Sequence, residues 1–235
     1  VETFDMMPLS DAVESSLVLR PAPAPPIPVL YEDDELLVVD KPPHLPVNPE
    51  AERELSLLEK VREQCAAPEL APLHRLDAGT SGVCLFAKRR AAVSELAARL
   101  AAGQKHYWAL VRGGLRAKGI VRAPLRDAGK TRPAITRYTL LARLAGHALA
   151  RVRPEHGRTH QVRKHMAAIG HPLLGDARYG DAASNRYFEH RYGLDRPFLH
   201  CGRIELAPRD GAPALAFECA LAPDLAQVLA QLRAA

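Results

Sequence analysis

The stretch PLHRLDAGTSG (72–82) runs directly into the apolar segment VCLFA (83–87). A short apolar run that is bounded by glycine and charged residues predicts a buried strand. Asp77 therefore stands just before a strand, among small and polar residues. A carboxylate in this position either closes a turn by accepting backbone N–H bonds or serves as the reactive group of an enzyme.

The sequence on both sides predicts strands interrupted by helices. VLYEDDELLVVD (29–40) contains two apolar runs around an acidic turn, which is typical of a hairpin. Ser56 and Glu59 have the spacing of a capping box, which predicts a helix that begins after Ser56. Further helices are predicted over 89–103, 160–169 and 223–232, and further strands in HYWALVRG, AITRYTLL, HALARVRP, FLHCGRIEL and ALAFECAL. Because strands and helices do not alternate strictly, we expect an α+β fold with a mixed, largely antiparallel sheet flanked by helices.

The first 28 residues differ in composition from the rest of the chain. Five prolines lie between Pro21 and Pro28, and such a segment favours an extended linker over helix or sheet. We therefore expect residues 1–28 to form a proline-rich N-terminal extension or linker. Residues 29–235 are enough to bury one hydrophobic core, so they are predicted to form one domain.

The sequence argues against several classes of protein. It has no run of eighteen apolar residues and does not start as a signal peptide does, so we expect a cytoplasmic protein without a membrane partner. The four cysteines lie far apart and form no C-x-x-C pair, which argues against a zinc site and a disulfide framework. His160 and His165 lack the H-E-x-x-H spacing, so no metal is predicted.

Basic residues are concentrated in one part of the chain. Between Arg99 and Lys164 there are sixteen Lys or Arg residues and two acidic ones, whereas the whole chain has a net charge of only +5. This separation of charge costs self-repulsion in the folded state unless a polyanion binds. Clustered Lys and Arg neutralise phosphates, so nucleic acid is the expected partner, in preference to a merely solvated basic face.

A reactive Asp77 requires a partner that stabilises its ionised form. The segment EHGRTHQVRKH (155–165) supplies Arg158, which we expect to open a helix and to reach the Asp77 carboxylate. Tyr107, in a basic strand, is either a core aromatic or a platform on which an unstacked base lies. Ser81 lacks the G-x-S-x-G context of a serine hydrolase, and HRLD does not have its Asp at the position that a kinase loop requires.

Six stretches together resemble the RluA-type pseudouridine synthases. Two of them, HRLDAGTSGVCLFAK (74–88) and GRTHQVRKHMAAIGHPLLGDARYG (157–180), contain long, specific motifs at about the interval found in that family. The others are VLYEDDELLVVDKPPHLPV, KHYWALVRG, AITRYTLL and RPFLHCGRIEL, and the six cover most of residues 29–208. The resemblance implies a catalytic domain over 29–235, an RNA cleft across its mixed sheet, and no metal or organic cofactor. The S4-like RNA-binding module that is usual in the family is not recognisable.

The resemblance also assigns roles by position. Three residues are implied to be catalytic: Asp77, Tyr107 and Arg158. Five are implied to contact RNA: Arg75, His74, Lys105, His160 and Arg163. In this assignment Arg158 pairs with Asp77, and Arg75 fills the stack that a flipped base leaves. His156 and Lys164 depart from the family pattern, in which threonine and valine are common at these positions.

These residues predict the conversion of specific uridines to pseudouridine in structured ribosomal or transfer RNA, by a monomer. Three roles stay open for Asp77: attack at C1′, addition to C6 and removal of a sugar proton. A non-catalytic RNA-binding protein with the same fold is one alternative. A nucleoside or sugar hydrolase with paired carboxylates is another, and it requires a second acid beside Asp77.

Overall fold

The computed structural model describes residues 25–49, 55–127, 129–209 and 213–234. These ranges contain twelve strands: β1 (Val29–Glu32), β2 (Leu36–Lys41), β3 (Ala71–Pro72), β4 (Ser81–Ala87), β5 (Gln104–Val111), β6 (Lys118–Val121), β7 (Leu125–Asp127), β8 (Lys130–Arg132), β9 (Thr136–Leu144), β10 (His147–Pro154), β11 (Leu199–Leu206) and β12 (Leu215–Glu218). They also contain five α-helices: α1 (Leu57–Gln64), α2 (Val93–Ala102), α3 (Gln161–Ala168), α4 (Ala182–Tyr192) and α5 (Pro223–Ala234). None of these helices is long and apolar enough to cross a membrane.

Ten of the strands in the described ranges form one sheet. Eight of them follow the order β1-β2-β4-β11-β5-β10-β9-β6, while β3 pairs with β4 and β12 pairs with β11. The pairs are antiparallel except for β4 and β11, which run parallel. β7 and β8 form a separate antiparallel pair. The predicted α+β fold with a mixed, largely antiparallel sheet is therefore confirmed.

Local signals place several elements as predicted. The Ser56 hydroxyl accepts a hydrogen bond from the backbone N–H of Glu59, and the Glu59 carboxylate accepts one from the backbone N–H of Ser56. This capping box starts α1. Ala145 and Gly146 have φ values of 44° and 80° and join β9 to β10. Positive φ at both central residues of a two-residue turn matches the twist of paired strands, so the predicted hairpin forms.

Two apolar clusters cover the sheet. The larger contains the almost wholly buried strands β2 and β4 together with apolar residues of α1, α2 and α3. The smaller joins α4 and α5 to Leu110 of β5 and to Phe198, which precedes β11. Because all seven residues of β4 are buried, the loop that carries Asp77 leads into a fixed element.

Several features differ from the sequence prediction, among them the short strands β3, β6, β7 and β8, which were not predicted. Residues 1–24 of the predicted extension lie outside the described residues, but Ile27 is buried, and its backbone N–H and carbonyl both bond to the Gln64 side chain. The core therefore begins before residue 29. The predicted helix 160–169 begins at Gln161, because His160 has a left-handed backbone with φ of 54°. α4 was not predicted, since its sequence AASNRYFEHRY carries no continuous apolar stripe.

Gly82, the second residue of β4, has no room for a side chain. Its φ is +114°, and a Cβ atom would lie 2.3 Å from the carbonyl oxygen of Cys201 on β11. We expect Gly82→Ala to lower the free energy of unfolding by about 3 kcal/mol or more, because two paired backbones must separate. Urea denaturation measures the change. Gly157→Ala is the control, since open space surrounds Gly157, and equal losses in both variants would contradict the prediction.

Candidate active site

A cleft of about 620 Å³ opens between the loop that precedes β4 and the start of α3. Seven of the eight residues predicted from the sequence line it: Arg75, Asp77, Lys105, Tyr107, Arg158, His160 and Arg163. Four of these are Lys or Arg, and Asp77 is the one acid among the described lining residues. The cleft therefore suits a negatively charged ligand. Within the described ranges, no group of three or more His, Cys, Asp or Glu is arranged to hold a metal ion.

The Asp77 carboxylate lies between two basic side chains of the α3 segment. Its Oδ2 accepts a hydrogen bond from Nη1 of Arg163 at 3.2 Å. Its Oδ1 lies 3.8 Å from Nε2 of His160. The turn after Asp77 is closed by the backbone and not by the Asp77 side chain, because the Thr80 N–H donates to the Asp77 carbonyl oxygen at 2.9 Å. The carboxylate is thus left to face the cleft, with 22% of the side chain exposed.

Asp77 pairs with Arg163, and the predicted pairing with Arg158 is wrong. Because α3 begins at Gln161, Arg163 lies in the first turn of the helix and reaches Asp77. Arg158 precedes the helix, and its Nε donates to the carbonyl oxygen of Pro133 at 3.3 Å. Arg158 still lines the cleft. The sequence prediction expected Arg158 to open the helix, whereas the helix begins three residues later, at Gln161.

Asp176 fixes the orientation of Arg163. Its side chain is 1% exposed and accepts hydrogen bonds from Nε and Nη2 of Arg163 at 2.7 and 2.8 Å. The backbone N–H groups of Arg178 and Tyr179 also donate to Asp176 Oδ1. Burial by itself would raise the pKa of Asp176, but the hydrogen bonds from Arg163 and the backbone bring it below its ordinary value. Arg163 is thus shared by two carboxylates, with Nη1 directed at Asp77.

The ion pair of Asp176 with Arg163 makes the free energy of unfolding depend on pH in the acid range. Since the pKa of Asp176 is lower in the folded than in the unfolded chain, its contribution is complete above the unfolded pKa of about 3.9 and is lost as pH falls through the folded pKa. We expect Asp176→Asn to lower the free energy of unfolding at pH 7 by about 3 kcal/mol. The decline of stability from about pH 5 to about pH 2 should then be shallower than in the wild type.

Urea denaturation at a series of pH values measures both effects. Asp34→Asn is the control, because Asp34 is an exposed carboxylate outside the cleft. An acid profile of Asp176→Asn as steep as that of the wild type would show that the pair does not cause the pH dependence.

His160 lies beside Asp77 and is in contact with Tyr179. The left-handed conformation of His160 costs about 1 kcal/mol for a residue with a side chain. Its Nδ1 lies 3.1 Å from the hydroxyl oxygen of Tyr179, whose ring packs 5.2 Å from the Arg163 guanidinium. Burial lowers the pKa of His160, and Asp77 acts in the opposite direction. The strained backbone therefore holds an imidazole between Asp77 and Tyr179.

Tyr107 and Lys105 enter the cleft from β5. Tyr107 is 9% exposed and lies directly across from Cys201 on β11. Burial, aided by Cys201 and Asp77, raises the pKa of Tyr107 well above its usual value, so the phenol stays protonated. Burial also lowers the pKa of Lys105. Tyr107 therefore presents a neutral, flat ring to the cleft that holds Asp77.

His74 is not among the residues that line the cleft. Its Nε2 accepts a hydrogen bond from the backbone N–H of Leu85 at 3.2 Å. Burial lowers the pKa of His74 well below its usual value, so the ring is neutral. This position favours a structural role for His74, as a support of β4, over the predicted RNA contact.

Lys41 supports the Asp77 loop (residues 77–81) from behind. Its side chain is fully buried at the end of β2. The Nζ donates to the carbonyl oxygens of Pro42, Leu45 and Ala78 at 2.8, 2.6 and 3.1 Å. Burial lowers the pKa of Lys41 to about 8. The three carbonyl oxygens match the three donors of an ammonium group, which ties the residue after Asp77 to the strand.

Arg196 supports the same loop from the side of α5. It is 2% exposed, and its Nη1 donates to the carbonyl oxygen of Gly79 at 2.9 Å. Its Nη2 donates to the hydroxyl of Ser81 at 3.2 Å. Asp224 of α5 accepts from Nε and Nη2 at 2.6 and 2.9 Å. The Asp77 loop is therefore connected to the last helix by a buried guanidinium.

We expect Arg196→Met to lower the free energy of unfolding by about 2 to 3 kcal/mol, because the Gly79 carbonyl and Asp224 both lose a donor. This loss of free energy of unfolding should be smaller than for a fully buried ion pair, since the Asp224 side chain is 41% exposed. Asp224→Asn is the matched variant: it keeps an acceptor oxygen, so we expect about 1 kcal/mol. Urea denaturation compares the two, and a loss in Arg196→Met no larger than in Asp224→Asn would contradict the role of Arg196 in the loop.

Three supporting residues were missed in the sequence: Lys41, Asp176 and Arg196. Each stands beside apolar residues or glycine, in LLVVDK, LLGD and RPFLHC. A charged residue in such a context is buried only when it is paired. This context was visible in the sequence for all three residues, but it does not show which group each charged side chain binds.

Comparison with known proteins agrees with the fold and the cleft. A family model described as RNA pseudouridylate synthase matches residues 35–168. The ribosomal large subunit pseudouridine synthase C of Vibrio cholerae is 34% identical over 220 residues, which cover 88% of this chain and 70% of the relative. The ribosomal large subunit pseudouridine synthase D of Xanthomonas campestris is 36% identical over 234 residues, with the same two coverages. Among solved structures, human RNA pseudouridylate synthase domain containing 4 aligns with a TM-score of 0.71 and 26% identity, over 88% of this chain and 93% of that one.

The mixed sheet, the basic cleft and these similarities define an RNA-modifying isomerase. The chain belongs to the RNA pseudouridylate synthase family. The resemblance to RluA-type synthases that the motifs indicated is confirmed, and so is the class of enzyme.

Proposed function

We propose that this protein converts uridine to pseudouridine in ribosomal RNA and that Asp77 is its catalytic carboxylate. The observation that carries the proposal is the ion pair of Asp77 with Arg163 in a basic cleft. The names of the relatives refer to the ribosomal large subunit, which supports ribosomal over transfer RNA as the substrate. Residues 29–235 are proposed to act as one catalytic domain, as a monomer in the cytoplasm.

The reaction rearranges a uridine without changing its composition. The N1–C1′ bond breaks, the uracil turns, and a C5–C1′ bond forms. The proton on C5 then leaves, and N1 gains a proton. Asp77 acts at the junction of sugar and base, where it attacks C1′, adds to C6 or removes a sugar proton. In each case the Arg163 guanidinium stabilises the ionised carboxylate that begins the reaction.

Tyr107 and Arg158 complete the proposed site. The detached uracil must be held while it turns, and the neutral ring of Tyr107 gives it a flat support. Arg158 donates to a neutral carbonyl oxygen, and we assign it to a phosphate of the target strand in place of Asp77.

The target uridine must leave its stack before Asp77 can reach C1′. Flipping a nucleotide out of a duplex costs a few kcal/mol, which contacts in the pocket offset. Arg75 is exposed and lines the cleft, so we assign it to the stack that the base vacates. Lys105 and His160 also line the cleft and are assigned to the target nucleotide.

Asp176 does not make the site that of a two-carboxylate hydrolase. It shares Arg163 with Asp77, so a second acid is present nearby. Its side chain is 1% exposed, and both of its oxygens accept hydrogen bonds from Arg163. A catalytic acid or nucleophile must reach the substrate, so this arrangement favours isomerisation at Asp77 alone.

Tritium release tests the proposal, because only rejoining through C5 expels the hydrogen from that carbon. The substrate is large-subunit ribosomal RNA transcribed in vitro with uridine tritiated at C5. We expect the wild type to release tritium and Asp77→Asn to be slower by at least about 1,000-fold. Arg163→Gln should lower kcat by about 100-fold, whereas Arg158→Gln should mainly raise KM.

Asp34→Asn, on the surface away from the cleft, should keep the wild-type rate. Release by Asp77→Asn at the wild-type rate would remove Asp77 from its proposed role. If the wild type binds this RNA but releases no tritium, the protein is an RNA-binding protein that retains the synthase fold.

A further inference from the structure

One face of the sheet carries a basic surface that points away from the cleft. Side chains alternate along a strand, so Tyr107 and Trp108 of β5 point to opposite faces, and residues directly across a sheet share a face. One row across β6, β9, β10, β5 and β11 contains Lys118, Thr139, Arg151, Trp108 and His200. A second row contains Ile120, Arg137 and Arg153. These two rows are named the distal surface.

Three cations of the distal surface have no acidic partner. Glu155 pairs with Arg137. Among the described residues, no carboxylate oxygen lies within 4.0 Å of the side-chain nitrogens of Lys118, Arg151 or Arg153. Arg153 donates to the amide oxygen of Gln104 at 2.7 Å. From strand and residue spacings, the Cα atoms of the three cations lie within about 12 Å of one another. A solvated face usually mixes both signs of charge, so this cluster indicates a polyanionic ligand.

Trp108 adds an aromatic ring next to these cations. Its indole stacks on the His200 ring, with centroids 5.5 Å apart and planes 7° apart. Trp108 and Arg151 line a groove of about 710 Å³, in which Arg203 is paired with Glu205 and Glu218 and Arg151 has no acidic partner among the described residues. Lys118, Arg151 and Arg153 line a neighbouring groove of about 790 Å³. Aromatic rings beside cations are where unpaired bases stack while Lys and Arg follow the phosphates, and Arg151, which lines both grooves, lies directly across from Trp108.

β10 connects the distal surface to the cleft. This strand carries Arg151 and Arg153 and ends at Pro154. Pro154 lines the cleft together with His156 and Arg158. The end of β10 that borders the cleft therefore also borders the distal surface, because Arg153 directly precedes Pro154.

We propose that the distal surface binds the phosphate backbone of the substrate RNA outside the target nucleotide, through Lys118, Arg151 and Arg153. The identity of the RNA rests on the proposed function, but the binding itself does not. An acidic protein segment is the other polyanion that these cations would attract. The place of Trp108 beside Arg151 and the end of β10 at the cleft favour RNA.

Two double variants with the same change of charge test this proposal. Lys118→Gln/Arg151→Gln removes two exposed cations from the distal surface. Arg89→Gln/Arg90→Gln removes two exposed cations that follow β4 and line neither groove. Filter binding of large-subunit ribosomal RNA transcribed in vitro is measured from about 50 to about 300 mM salt. Melting temperatures establish that both variants are folded.

We expect Lys118→Gln/Arg151→Gln to bind this RNA about tenfold more weakly near 150 mM salt. The slope of log affinity against log salt should become shallower by about 1.4 to 1.8, because two phosphate contacts fewer release fewer counterions. The control should change neither quantity by a comparable amount. Equal affinities and slopes in the two variants would overturn the proposal.

The same comparison in an Asp77→Asn background separates binding from catalysis. The difference between the variants should persist there, even if the wild type releases no tritium and the proposed reaction is wrong. Polyglutamate serves as the acidic peptide probe. A loss of affinity for polyglutamate without a loss for RNA would assign the distal surface to an acidic protein and overturn the RNA proposal.

Discussion

The cleft depends on one guanidinium that is shared by two carboxylates. Arg163 gives Nε and Nη2 to the buried Asp176 and Nη1 to Asp77. Because the guanidinium is planar and rigid, a two-point bond to Asp176 also fixes the direction of the third nitrogen. Asp77 is therefore oriented by Arg163, which is itself held by a buried carboxylate that does not line the cleft.

The loop that carries Asp77 is held through its backbone, which leaves the side chain available. Lys41 binds the carbonyl oxygen of Ala78, and Arg196 binds that of Gly79. Both cations are buried, so they act in a medium of low polarity where hydrogen bonds to charged groups are strong. The loop thus combines a rigid main chain with a carboxylate that faces solvent and substrate.

Local patterns predicted most of the fold and most of the residues that line the cleft. They did not predict which arginine pairs with Asp77. The capping box at Ser56 and the turn at Gly146 depend on neighbouring residues, so spacing alone reveals them. The choice between Arg158 and Arg163 depends on where α3 begins, and the left-handed backbone of His160 decides this. Contacts such as that of Arg196 with Gly79 span 117 residues and leave no pattern in the spacing. The helix α4 was not predicted for a different reason: few of its side chains are buried, so its sequence has no apolar stripe.

The large separation in sequence between these contacting residues also determines when a newly made chain can form the cleft. Asp77 leaves the ribosome 86 residues ahead of Arg163, and Gly79 leaves 117 residues ahead of Arg196. The basic segment 99–164 leaves the ribosome after Gly79 and before Asp176 and Arg196. A nascent chain therefore acquires its attraction for RNA before it can assemble the cleft. The contact of Asp224 with Arg196, which supports the Asp77 loop, forms only after α5 has been made.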